Sequence, residues 1–372
     1  MIPSPNSTIY SSVLSLLLLG WLATSAGAAG EPAPPQRNGD AASKNLLGKI
    51  YPIEVRISFQ AALFHWLDSL TGVIGPGMTA GRTTEAHRLD FEKVAGEPST
   101  EDLRMLRRFA ETRRSIASRS RGGSEIHLTR AVFEEPTLTA ALERAGSLVE
   151  AHEARTLRTV LDYFTSHYER IWSNGKVPRS FVERARRDPD REALDAFMGR
   201  VVRFYGTDLA DSEVPRLILV PVRDGHGTHA QAVGPDLLIE IRPGDGLSDQ
   251  VPPIVHENSH FLFYSMDSDR RRALRTLTAE LGPEGANAWR VMLEALPTAI
   301  GQGVAGQAFR RATWSLEQRW YGREDVDRFA KAIFPLVRET LNNGGRLDRP
   351  FLEKAFAAYE EAGVGQLSRR SP

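Results

Sequence analysis

Two imidazoles and a carboxylate, at positions 256, 257 and 260, are the side chains of this sequence best placed to act together. They stand in Ile254-Val255-His256-Glu257-Asn258-Ser259-His260-Phe261-Leu262. On a helix, residues four apart lie one turn above each other on the same face, so His256 and His260 aim both rings at one point. Two nitrogens presented in that way grip a zinc ion. Glu257, one residue round from His256, reaches a water on such an ion without ligating the ion itself. That is the place of the general base in metal-assisted hydrolysis. The flanks Ile254, Val255, Phe261 and Leu262 are apolar, as a buried helix requires, and unpartnered polar groups among them would be costly. Pro252 and Pro253 are expected in the first turn of this helix, where a missing amide donor matters little.

The stretch resembles the active-site helix of the zincin metallopeptidases. In their metzincin branch a third histidine follows six residues on; here that position is Met266, and no histidine follows His260. The gluzincin branch takes a glutamate from a second helix a few tens of residues downstream. Glu294, in Val291-Met292-Leu293-Glu294-Ala295-Leu296-Pro297, answers that description. The resemblance therefore implies Zn2+ held by His256, His260 and Glu294, with Glu257 as base and a peptide or protein as substrate. Spacing alone supports only metal-assisted hydrolysis. Glu317, between Trp314 and Trp320, is the alternative third ligand. Many zincins also stabilise the oxyanion with a tyrosine hydroxyl, and Tyr321 is the residue available for that role. The rival expectation is an inactive zincin-fold binding or scaffold protein of the cell envelope, against which the retention of Glu257 speaks.

The elements that must position these residues are read from pattern. The chain has 372 residues, 41% hydrophobic and 25% charged, which is the make-up of a globular protein long enough for one large domain or two ordinary ones. Its 47 basic and 47 acidic side chains leave no net charge, so nothing pulls it towards nucleic acid or an anionic membrane. An apolar run from Val13 to Leu22 followed by Ala26-Gly27-Ala28 reads as a secretory signal peptide over residues 1–28, too short in its core to be a membrane span. The expected location is periplasmic or secreted, with no membrane span after cleavage. Residues 29–45, rich in Pro, Gly and small polar residues, read as a flexible linker. There is no cysteine, which excludes disulfides, thiolate ligands and lipid anchoring through cysteine.

Residues 46–205 read as a helical N-terminal region. The clearest helix there spans about 148–172, with Leu157, Val160, Leu161, Phe164, Tyr168, Ile171 and Trp172 on one stripe. Another is expected over 191–205, ending at Gly206. The arginines between 104 and 121 are interspersed with acids and read as a solvated helix face. Residues 206–372 read as the zincin-like region. In it Leu217–Val220 and Asp236–Ile241 are expected as strands, giving a small sheet before the motif helix and a predominantly helical α+β fold. In zincins an edge strand above the motif helix binds extended substrate by strand addition, and residues 236–241 are the candidate. His226 and His229 lie between these strands and read as exposed loop histidines, with a place in the cleft as the alternative. His65 and His87 read as ordinary core or surface residues. Downstream helices are expected at 270–281, 286–300, 324–342 and 350–362, with Gly301-Gln302-Gly303 breaking the one that carries Glu294.

Overall fold

A five-stranded mixed sheet separates two hydrophobic cores, and helices cover both of its faces. This computed structural model describes residues 46–50, 52–72, 82–119, 123–207, 214–222 and 229–368. The expected signal peptide and linker, and His226, lie outside the described residues.

The chain enters through a hairpin, β1 (Leu46–Ile50) and β2 (Ile53–Arg56). Eight helices follow: α1 (Phe59–Thr71), α2 (Arg82–Ala95), α3 (Thr100–Arg119), α4 (Gly123–Glu134), α5 (Leu138–Ala145), α6 (Ala151–Trp172), α7 (Lys176–Arg186) and α8 (Arg191–Tyr205). The stripe read on α6 is buried as a set, and α8 stops where Gly206 takes a left-handed conformation. On α3, Arg104, Arg107, Arg108 and Arg114 face solvent, whereas Arg113 turns inward and grips Asp68 through paired bonds of 2.9 and 3.0 Å. The sheet is completed by β3 (Arg216–Pro221), β4 (Ala230–Val233) and β5 (Asp236–Ile241), in the order β1-β2-β3-β5-β4. β2, β3 and β5 run parallel, while β1 and β4 pair antiparallel at the two edges.

Two expectations about strands are corrected. Residues 46–50 and 53–56 are strands of the sheet rather than helix, since Ile53 and Val55 alternate inward as a strand requires. Residues 236–241 are not an edge, because β5 is bonded on one side to β3 and on the other to β4. The described edge next to it is the short β4.

Alternation along the buried strands assigns each face. Leu217, Leu219, Leu237, Ile239 and Ile241 point into the core shared with the motif helix, while Ile218, Val220 and Leu238 point into the core built by α1, α3 and α6. The motif helix α9 (Leu247–Ser265) starts earlier than Pro252 and Pro253 suggested. Asp249 accepts the Gly246 N–H at 2.9 Å and fixes the start there, so both prolines sit inside the helix. Then come α10 (Ser268–Glu280) and α11 (Gly285–Thr298). The expected break at Gly301-Gln302-Gly303 does not occur: the helix continues as a π-helical stretch, Ala299–Ala305, into α12 (Gly306–Phe309). Three helices close the fold: α13 (Glu324–Asn342), α14 (Arg349–Glu361) and α15 (Val364–Ser368). No helix among the described residues is long and apolar enough to cross a membrane.

Candidate metal centre

Position 301 shows why the third group can approach the first two. A Cβ there would lie 2.6 Å from the Pro252 carbonyl oxygen and 3.0 Å from the His256 amide nitrogen and Cβ, so only glycine lets this backbone lie against α9. Gly303 and Gly306 serve the opposite side, where added carbons would strike Phe334, Trp320 and Trp314. The π-helical stretch is thus clamped between α9 and an aromatic cluster. A π-helical stretch is uncommon and often marks a functional site.

With the two helices this close, His256, His260 and Glu294 converge. Their Nε2 atoms are 3.1 Å apart, and Glu294 Oε2 lies 3.8 Å from His256 Nε2 and 3.5 Å from His260 Nε2. Zinc bonds of about 2.0–2.2 Å in a tetrahedron place donor atoms about 3.3–3.5 Å from one another. The three edges bracket that value. Glu294 Oε1 is buried and without a hydrogen-bond partner among the described residues, a state that a carboxylate tolerates poorly unless a cation compensates it. The donor set of two imidazoles and one carboxylate, with no thiolate, fits zinc. Burial pushes the Glu294 carboxyl up, but the His260 and His256 rings outweigh it and hold the group well below the usual carboxylate range.

Glu257 Oε1 is 4.0 Å from His256 Nε2, beside the cluster rather than within it, and the residue is 2% exposed. Tyr321 is buried with its ring nearly parallel to His256, centroids 6.2 Å apart, and its hydroxyl donates to Glu294 Oε2 at 3.0 Å. Burial and the adjacent Glu294 charge push that phenol well above its ordinary pKa. Glu317, the alternative third ligand, is exposed and not part of the cluster. It caps a local turn by bonding through its backbone to Ser315 at 3.1 Å.

One contributor was not anticipated. Gln302 Oε1 lies 3.3 Å from His256 Nδ1 and can accept its proton, leaving Nε2 bare towards Glu294 and His260. Gln302 is itself held through its backbone oxygen by Trp314 Nε1 at 2.9 Å. Nothing in the pattern around 302 distinguishes this glutamine, because its reach depends on the π-helical stretch. His229 is also not as expected. It is buried, not exposed, and its ring stacks on His65 with centroids 5.7 Å apart. Burial pulls its imidazole down to about 4, with Glu240 opposing and His65 adding to the shift.

No family model matches the chain, and no curated protein and no solved structure matches it either, so its functional reading rests on this geometry.

Proposed function

We propose that the chain is an exported, zinc-dependent hydrolase of zincin type, gluzincin-like in its third ligand, acting on peptide or protein substrates. The observation that carries this reading is the convergence of His256, His260 and Glu294 beside Glu257 at the contact of two buried helices. His256, His260 and Glu294 would hold the zinc, which when bound would supply Lewis-acid polarisation and lower the pKa of a bound water towards neutrality. Glu257, beside the cluster, is placed to take a proton from water as its oxygen adds to the peptide carbonyl carbon, and to give that proton to the amine nitrogen as the C–N bond breaks. Gln302 keeps His256 in the tautomer whose Nε2 is free. Tyr321 orients Glu294, and serving a developing oxyanion requires its hydroxyl to leave that carboxylate. Export rests on the apolar run and the Ala26-Gly27-Ala28 site.

The test is Glu257→Gln, assayed on a peptide mixture by mass spectrometry alongside zinc content. The expected variant keeps its zinc and loses cleavage; undiminished cleavage sinks the reading. Mature protein that still begins at Met1 would remove the export claim.

A non-catalytic, zinc-stabilised scaffold is the second reading, favoured by one observation: His256, Glu257, His260 and Glu294 are all at most 3% exposed. Under it, zinc removal lowers the melting temperature, while the wild-type protein cleaves nothing.

A further inference from the structure

On the opposite face of the sheet lies a second set of buried polar groups. β5 reads Leu237-Leu238-Ile239-Glu240-Ile241, and alternation sends Glu240 the same way as Leu238, into the core of α1, α3 and α6. A carboxylate with no exposed surface in a central strand is expensive unless partnered. Among the described residues its side-chain partners are two imidazoles. His65 Nε2 on α1 lies 2.9 Å from Glu240 Oε1, and His87 Nε2 on α2 lies 2.6 Å from the same oxygen. The other oxygen, Oε2, accepts the backbone N–H of His229 at 2.8 Å, which turns Oε1 towards the histidines. His65, His87 and His229 are each at most 3% exposed.

We propose that His65, His87 and Glu240 form a second divalent-metal site of the zinc class, which pins α1 and α2 to the central strand β5. Three features point to a ligand rather than to packing. The three donor atoms converge from three separate elements on one spot, as donors to a cation do. The cluster is polar where the surrounding core is aromatic and aliphatic, and apolar residues of similar volume would fill that space without desolvating a charge. His229 Nε2, buried and without a hydrogen-bond partner among the described residues, is a further donor beside the cluster, its ring stacked on His65. Two or three imidazoles with one carboxylate suit a first-row divalent ion, and with no cysteine in the chain a thiolate site is excluded. Ion binding would open the 2.6 and 2.9 Å contacts by about 0.4–0.9 Å, to the donor spacing of about 3.3–3.5 Å around zinc. A structural zinc site is closed by four protein ligands; His229 Nε2 is the fourth donor at hand, and burial between helices and sheet suits such a closed site. It is independent of the hydrolase reading, since it lies across the sheet from α9.

The experiment compares zinc per chain in full-length wild-type protein, Glu240→Gln and Glu294→Gln, each purified without chelator. Glu240→Gln keeps a hydrogen-bond acceptor for the imidazoles but removes the charge. The expected result is two zinc ions per wild-type chain and one in each variant. Equal zinc in wild type and Glu240→Gln overturns the second site, whatever Glu294→Gln shows. Loss in Glu240→Gln alone keeps the second site and removes the first. Should Glu240→Gln fail to fold, the double variant His256→Ala/His260→Ala decides: one retained zinc that His87→Gln then abolishes supports the site, and a folded double variant without zinc overturns it.

Discussion

The two faces of the sheet carry the same trio, two histidines and a glutamate, assembled in opposite ways. On the motif-helix face the imidazoles come from one helix, four residues apart, and the donors stand 3.1 to 3.8 Å from one another. That range brackets the spacing of ligands around an ion, and its shortest contact, between the two Nε2 atoms, is also within hydrogen-bond distance. On the other face the contacts are 2.6 and 2.9 Å, and each imidazole comes from its own helix. The outer contacts differ as well. His256 Nδ1 has Gln302 within reach, whereas the Nδ1 atoms of His65 and His87 are buried without a hydrogen-bond partner among the described residues. On the motif-helix face one helix fixes both imidazoles, Gln302 orients one of them, and the close approach at Gly301 brings Glu294 in from a second helix. On the other face three separate elements meet at one carboxylate oxygen, and both imidazoles lie within hydrogen-bond distance of it.

The sharpest way to break this comparison is His256→Ala/His260→Ala. It should remove the zinc of the motif-helix centre entirely and leave the other cluster's content unchanged, as elemental analysis reads out; loss of all metal from a folded double variant would overturn the second cluster as a metal site. Glu257→Gln comes next, with turnover on peptides falling about 10²–10⁴-fold at constant zinc content, the usual scale of general acid–base catalysis. Gln302→Leu tests the outer contact that only the motif-helix centre has, and zinc affinity measured by competition with a chromophoric chelator should drop about 10–100-fold. Gly301→Ala attacks the helix contact itself. Overpacking against Pro252 and His256 should destabilise the fold by about 1–3 kcal/mol in urea titration. The smallest effect is expected for Tyr321→Phe, which removes one hydrogen bond to Glu294 and should weaken stability by about 1 kcal/mol. If turnover instead falls by about 10²–10³-fold, the hydroxyl serves the oxyanion as well.

What could be read in advance follows from how local each signal is. The motif helix, the α6 stripe and the ends of α8 depend on spacings of three or four residues and on Gly206. Glu294 was legible because a mid-helix carboxylate among apolar neighbours needs a partner. The π-helical stretch was not, since Gly301-Gln302-Gly303 reads as a break until the close approach of α9 explains the glycines. Pro252 and Pro253 misled about the helix start because the Asp249 cap outweighs them. The strand at 236–241 was visible, but its place inside the sheet depends on β4 and β3 pairing across it. Glu240, His65 and His87 were out of reach: they stand 175 and 153 positions apart in the chain, and nothing near any of them marks the meeting.

The central claim is that His256, His260 and Glu294 hold zinc, and an anomalous-scattering map at the zinc absorption edge tests it most directly. Crystals of protein purified without chelator should show a peak about 2.0–2.2 Å from His256 Nε2, His260 Nε2 and a Glu294 carboxylate oxygen. Zinc-supplemented crystals in which these three side chains are ordered but carry no peak between them would contradict the account.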